Sequence, residues 1–239
     1  MSDDLREFLT RARGGAAAAA RVIDLESRGK WLGRLDDLHR HVVNDQATAW
    51  GLEAFRGRLI ELSARGATAT LTTSIELVLE AQRASEPVAW IMASTGSTFY
   101  PPDVADSGVD LSALVVIRAP DRVIAARAAE RLLRSGAFGL VVLDFVDFSN
   151  GASERLLPDH VLGRLVTLAQ AHDAAVVCIS EKPQDASSLG SLVSLRAEAL
   201  RARDRDGRGG FEVRMRALKD KRRGPGWTRA IKARGPAGM

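Results

Sequence analysis

Between Gly57 and Ile179 the chain alternates short apolar runs with segments of helix length, and this pattern leaves few folds open. The apolar runs are Leu59 to Leu62, Val88 to Met92, Leu114 to Ile117, Leu140 to Leu143 and Ala174 to Ile179. The main intervening segments, Thr70 to Ala84, Asp121 to Ser135 and Pro158 to His172, read as helices. A strand that alternates apolar and polar residues has one wet face; a strand apolar throughout is buried on both. That is the signature of parallel βαβ units covered on two sides. The pattern predicts an α/β fold: a mostly parallel β-sheet flanked by helices. Asp121 stands where it can cap the helix that follows it, and Pro101-Pro102 suits the first turn of a shorter one.

The two ends of the chain differ from this middle. Residues 4–45 read as N-terminal helices, with Leu5, Phe8 and Leu9 at helical spacing, a break at Gly14-Gly15, and a later stripe of Leu32, Leu35, Leu38 and Val42. Asn44 to Gly57 reads as a connection into the core. Near the other end, Leu192 to Leu195 and Phe211 to Leu218 read as C-terminal antiparallel strands, with Gly207 to Gly210 as a tight turn between them. The reading divides the chain into a helical segment (1–45), an α/β core (46–218) and a basic tail (219–239).

Composition excludes several classes. Hydrophobic residues make up 46% and charged residues 27% of the 239, enough for a core and too apolar for wholesale disorder. The single cysteine, Cys178, lies inside an apolar run, so it can form no internal disulfide and reads as a small buried hydrophobe. There is no signal-peptide core at the acidic start and no run of about 18 apolar residues, so a cytoplasmic protein is expected. Charge is unevenly placed. Of 34 Lys/Arg and 30 Asp/Glu, residues 196–239 hold 14 and 5, leaving a mildly acidic body of 20 and 25. Such asymmetry points to nucleic acid or an acidic partner, or to a merely solvated tail.

In an open α/β sheet ligands sit at the carboxyl ends of the strands, so the turn from Leu62 into Thr70 is the place for a phosphate cradle. A working loop reads G-x-x-x-x-G-K-[ST]: glycines let backbone N–H groups wrap the phosphates, lysine contacts them, and the hydroxyl holds magnesium. No lysine occurs between Lys30 and Lys182.

Gly57-Arg58-Leu59-Ile60-Glu61-Leu62, Thr72-Thr73 and Glu80-Ala81-Gln82-Arg83 together resemble the first βα unit of bacterial RecA. Gly108 to Leu114, Arg134-Ser135-Gly136-Ala137, Leu140 to Asp144 and Leu218 to Pro225 extend the resemblance, in order, over about residues 55–223. In that register Ala64 and Ala69 replace the two glycines, Thr70 the lysine and Leu71 the hydroxyl. Ser94 stands where RecA carries the acid that activates water, and Glu181 where it carries a phosphate-sensing glutamine. Asp144 alone remains, as a vestigial magnesium-side acid or as a helix cap or loop anchor. The resemblance therefore implies a RecA-like core with a degenerate phosphate loop, no nucleotide cofactor and no ATPase activity. It implies reduced DNA-binding loops too: the first, from Asp147 to Pro158, is shorter, and the long second loop is missing, the chain passing from Glu181 to Gly190 straight into the next strand.

An eroded loop with a basic Gly-Pro-Gly segment near the end is similar to the ImuA family. That resemblance implies an accessory role in SOS, DNA-damage-induced mutagenesis by translesion synthesis. Its implied partners are an ImuB-like Y-family polymerase homologue, RecA itself, and DNA through the basic tail. Two alternatives stand beside it: a RecA-derived DNA-binding module outside that complex, and a recombination ATPase with an unconventional loop.

The tail residues that would make contacts are Lys219, Lys221, Arg222, Arg223, Trp227, Arg229, Lys232 and Arg234; Gly224-Pro225-Gly226 keeps them off one continuous helix. Trp227 would stack on a base or anchor a partner if exposed, and would pin the tail if packed on the sheet edge. His39 and His41 fall on different helix faces and read as solvated rather than metal-binding. Ser149, Ser153 and His160 lack a nucleophile elbow.

Overall fold

A computed structural model describes residues 50–148, 157–203 and 210–234. The N-terminal helices, the two histidines of that segment, and most of the expected Gly207 to Gly210 turn lie outside the described residues, as do Ser149 and Ser153.

The five apolar runs all form strands and all pair in parallel: β1 (Arg58–Ala64), β2 (Val88–Ala93), β3 (Leu114–Ala119), β4 (Leu140–Asp144) and β5 (Ala175–Glu181). The helices are α1 (Leu52–Phe55), α2 (Thr70–Arg83), α3 (Pro101–Asp106), α4 (Arg122–Arg134) and α5 (Asp159–Ala171). The Asp121 carboxylate accepts from the Ile124 amide at 2.8 Å, capping α4 as expected. Proline opens α3, where its missing N–H costs nothing. Within the Asn44 to Gly57 connection, α1 closes the foot of the sheet, and Trp50 meets Phe55 edge to face at 4.5 Å.

Three further strands complete the sheet: β6 (Leu195–Arg203), β7 (Gly210–Asp220) and β8 (Thr228–Arg234). The order is β3-β2-β4-β5-β1-β6-β7-β8, and β7 alone runs against the rest. The fold is thus a mostly parallel α/β sheet flanked by helices, consistent with a RecA-like core. Two expectations need correction. Residues 192–194 are loop, and the strand that starts at Leu195 pairs in parallel with β1, Ile60 opposite Leu195, while only its other edge is antiparallel. Thr228–Arg234, read as tail, is the edge strand of the sheet, with Ile231 reaching the core.

Two apolar layers hold the sheet. One lies under α1, α2 and α3 and extends beneath β6, β7 and β8; the other lies under α4 and α5 and stops at β1. On β7, Val213, Met215 and Ala217 are buried while Arg214 and Arg216, on the opposite face, are exposed. Among the described residues no helix covers that second face of β6 to β8.

Candidate functional site

The loop after β1 is built as part of the sheet. Because Leu195 stands opposite Ile60, β6 outruns β1, and its last residues lie beside the loop. The Ala69 amide donates to Ala199 O at 2.9 Å, the Arg201 amide to Ala67 O at 2.7 Å, and Thr68 bridges Leu200. The Thr68 amide turns to Gly66 O, and the Thr70 amide to Thr68 Oγ1 at 3.2 Å. A phosphate cradle works by presenting free N–H groups; at 68, 69 and 70 they are occupied by the protein itself.

The side chains match that backbone. Ala64 is buried at the end of β1 and its carbonyl accepts from the Lys182 amide. Thr70 is buried, its hydroxyl 2.9 Å from that of Thr68. Leu71 packs against the core. Of the carboxylates, Asp144 is 1% exposed and accepts from Thr98 Oγ1 at 2.6 Å and from the Val146 amide at 3.1 Å. Burial pushes its carboxyl up, and those two bonds offset part of the rise. Asp147 accepts the Ser97 and Thr98 amides. Together the two acids tie down the loop between β2 and α3, which is the anchoring role left open for Asp144. Ser94 and Glu181 are exposed at the ends of their strands.

Three cations fasten the segment after β5. Lys182 pairs with the fully buried Glu61 at 2.5 Å and donates to Ser187 O. Glu61 also accepts from Ser180 Oγ and the Leu189 amide, so its charge is well satisfied. Arg196 binds Ser63 Oγ and the carbonyls of Ala186 and Pro183. Lys219 reaches Ser188 Oγ and the carbonyls of Gly190 and Ser191, and burial lowers its pKa. The short segment standing where RecA carries its second DNA-binding loop is therefore laced to the sheet. Most of the first, residues 149–156, lies outside the described residues.

The basic residues near the end divide by place. Lys221, Arg222 and Arg223 are exposed at the turn between β7 and β8. That turn lies beside the amino ends of the parallel strands, since Asp220 stands opposite Leu195. It is at the far end of the sheet from the loop after β1. Asp220 anchors it: its carboxylate accepts from Arg58 Nη2 at 2.8 Å, the Arg222 amide at 2.9 Å and Trp227 Nε1 at 3.1 Å. Trp227 is half-buried against the core and so pins the chain. Arg229 points to the helix side, where its guanidinium grips Glu76 of α2 at 2.7 and 3.0 Å. Lys232 is exposed on β8, and Arg234 is the last residue of that strand.

Sequence reasoning missed Arg214 and Arg216, which share the uncovered face with Lys232. Their signal was the strict alternation of Val213, Met215 and Ala217 with charged residues. It also missed Arg58, Glu61 and Asp220, charges within strands that meet partners across the sheet.

No family model matches the chain. Over 100 residues, 41% of its length, it is 38% identical to Protein RecA of Nocardioides sp.. That stretch is 28% of the relative, so the chain spans under a third of the protein it matches. The match and the mostly parallel, helix-flanked sheet support a RecA-like family for this chain.

Proposed function

We propose that this chain is a non-catalytic RecA-like accessory protein that works through its surfaces rather than by turning over nucleotide. The observation that carries the reading is the loop after β1. It lacks lysine, and its amides at Thr68, Ala69 and Thr70 are bonded within the protein. A RecA-like sheet kept intact while the phosphate loop is closed fits a domain retained for binding. The resemblance to the ImuA family supports the finer reading: a part in SOS mutagenesis and translesion synthesis, with an ImuB-like polymerase homologue and RecA as partners.

The test is calorimetry with ATP and magnesium at millimolar concentration, on the full chain and on Thr70→Lys. Neither should give specific heat, because the restored lysine would face a loop whose amides remain tied to β6. A dissociation constant in the low micromolar range for the full chain would overturn the reading. Co-purification with an ImuB-like polymerase tests the finer assignment separately.

A second reading, a DNA-binding module outside that complex, draws on the uncovered sheet face with Arg214, Arg216 and Lys232 and on the exposed turn Lys221 to Arg223. Truncation after Leu218 is the wrong probe, because it removes β8 from the sheet along with the charges. Lys221→Glu/Arg222→Glu/Arg223→Glu keeps the strand. If these cations contact phosphates, the variant loses about 0.7 in log–log salt slope for each contact to single-stranded DNA.

A further inference from the structure

Helix α4 carries a second basic surface, on the side of the sheet away from α2. Arg127, Arg131 and Arg134 are exposed at i, i+4 and i+7, one ridge about 10 Å long at 1.5 Å rise per residue. Arg164 on α5 flanks it, and the side chains of Arg134 and Arg164 are 64% and 65% exposed. Glu130, the acid that contacts Arg134 and Arg164 among the described residues, is almost buried. It lies 4.0 Å from Arg134 Nη2 and 3.9 Å from Arg164 Nη1, too far for tight pairing. Among the described residues no ion pair reaches Arg127 or Arg131. Like charges at this spacing repel along the helix, while the last turn, which holds Arg131 and Arg134, favours cations through the helix dipole. One turn before Arg127, Val123 and Ile124 are 41% and 39% exposed, the only large aliphatics so exposed on any described α-helix.

We propose that the α4 ridge docks an acidic amphipathic helix of a partner protein, its carboxylates on Arg127, Arg131 and Arg134 and an aliphatic residue on Val123 and Ile124. Charge complementarity fixes the sign of the partner, and arginine's planar fork suits a carboxylate in two-point contact. Phosphate would satisfy the arginines equally well. The exposed Val123 and Ile124 decide for protein, because a phosphate backbone offers them nothing. This surface is separate from the basic face of β6 to β8, and the proposal does not depend on which pathway the chain serves.

The probe is a labelled 18-residue helical peptide with glutamates at i, i+4 and i+7 and two leucines one turn beyond, beside a scrambled peptide of the same composition. Anisotropy with the full chain should show salt-sensitive binding of the ordered peptide only. Arg127→Glu/Arg131→Glu/Arg134→Glu should weaken it by about tenfold or more, the sum of three exposed ion pairs. The same variant should bind the peptide whose glutamates are changed to lysine. Val123→Ser/Ile124→Ser should weaken binding without changing its salt slope. Arg214→Glu/Arg216→Glu, on the same side of the sheet but several strands away on β7, should leave it unchanged. Equal binding of the scrambled peptide, or equal loss in the Arg214/Arg216 variant, would reduce the effect to net charge and overturn the proposal. So would a ridge variant that loses single-stranded DNA while keeping the peptide, since the site would then be for nucleic acid. All the substituted residues are exposed, and circular dichroism is the check that each variant folds.

Discussion

Replacing Asp220 by alanine tests how the basic turn is held. The Arg58 and Asp220 side chains are 4% and 1% exposed and meet at 2.8 Å. Removing the carboxylate leaves the guanidinium buried with only neutral acceptors: Ser194 Oγ at 2.8 Å, Ser194 O at 3.3 Å and Ala54 O at 3.2 Å. It also orphans the Arg222 amide and the Trp227 indole. Breaking one side of a buried pair costs about 3–5 kcal/mol, a large share of the roughly 5–15 kcal/mol that holds a domain folded. For a body of this size that corresponds to a fall in Tm of about 6–20 °C. Urea denaturation read by tryptophan fluorescence measures it, with Trp227 reporting the turn directly. Asp220→Leu/Arg58→Met, which removes both charges, should recover most of the loss. Burial by itself pushes the Asp220 carboxyl up, but the Arg222 amide, Trp227 and Arg58 outweigh it and hold the group below its ordinary 3.8. A depressed value means stability that is complete above about pH 4 and lost as pH falls through the folded-state value. The wild-type chain should show this acid-side loss, and the alanine variant should lack it. A Tm change under about 2 °C, or the same acid limb in both proteins, would refute the anchoring argument.

Arg229→Ala should cost about 1–3 kcal/mol, because it leaves half-buried Glu76 without its two-point partner, and should leave DNA affinity unchanged; a binding defect at full stability would return Arg229 to the contact surface. Asp144→Asn should hold or raise Tm at neutral pH. The raised carboxyl of Asp144 means that stability is complete below the ordinary carboxylate value and is lost as pH rises through the folded-state value, so the gain from Asn should fade toward pH 4; a loss of Tm, or a magnesium-induced rise in the wild type alone, would point to a metal role instead.

The parallel half of the fold was legible because burial on both faces forces continuous apolar runs, and β1, β2, β4 and β5 admit little else. Even there the charges were silent. Glu61 and Arg58 sit within a strand every residue of which is buried, and nothing local names Lys182 or Asp220 as their partners, 121 and 162 positions away. The second half was harder for a different reason. In β6 the buried face is Leu195, Ala197 and Ala199, and alanine carries so little hydrophobic contrast that Leu-Arg-Ala-Glu-Ala-Leu reads as helix, loop or strand alike. In β8 only Ile231 is strongly apolar and charge dominates the composition, so an edge strand passed for a tail.

That same difficulty bears on the candidate site. That Ala64, Ala69 and Thr70 stand where a working phosphate loop carries glycines and lysine could be read directly, but what those positions meet in the fold could not. The closure depends on β6 running past the end of β1, which is a matter of register: Leu195 opposite Ile60 rather than later in the strand. A strand that starts level with β1 and stops with it would leave the amides at 68 to 70 open, and an anion could settle there even without lysine. With β6 extended to Arg203, Ala199 O and the Arg201 amide meet the loop first. On the proposed reading the absent lysine lowers phosphate affinity, and the pairing with β6 separately takes up the amides at 68, 69 and 70. The two changes are separable, so restoring Thr70 to lysine alone is expected to return no nucleotide binding.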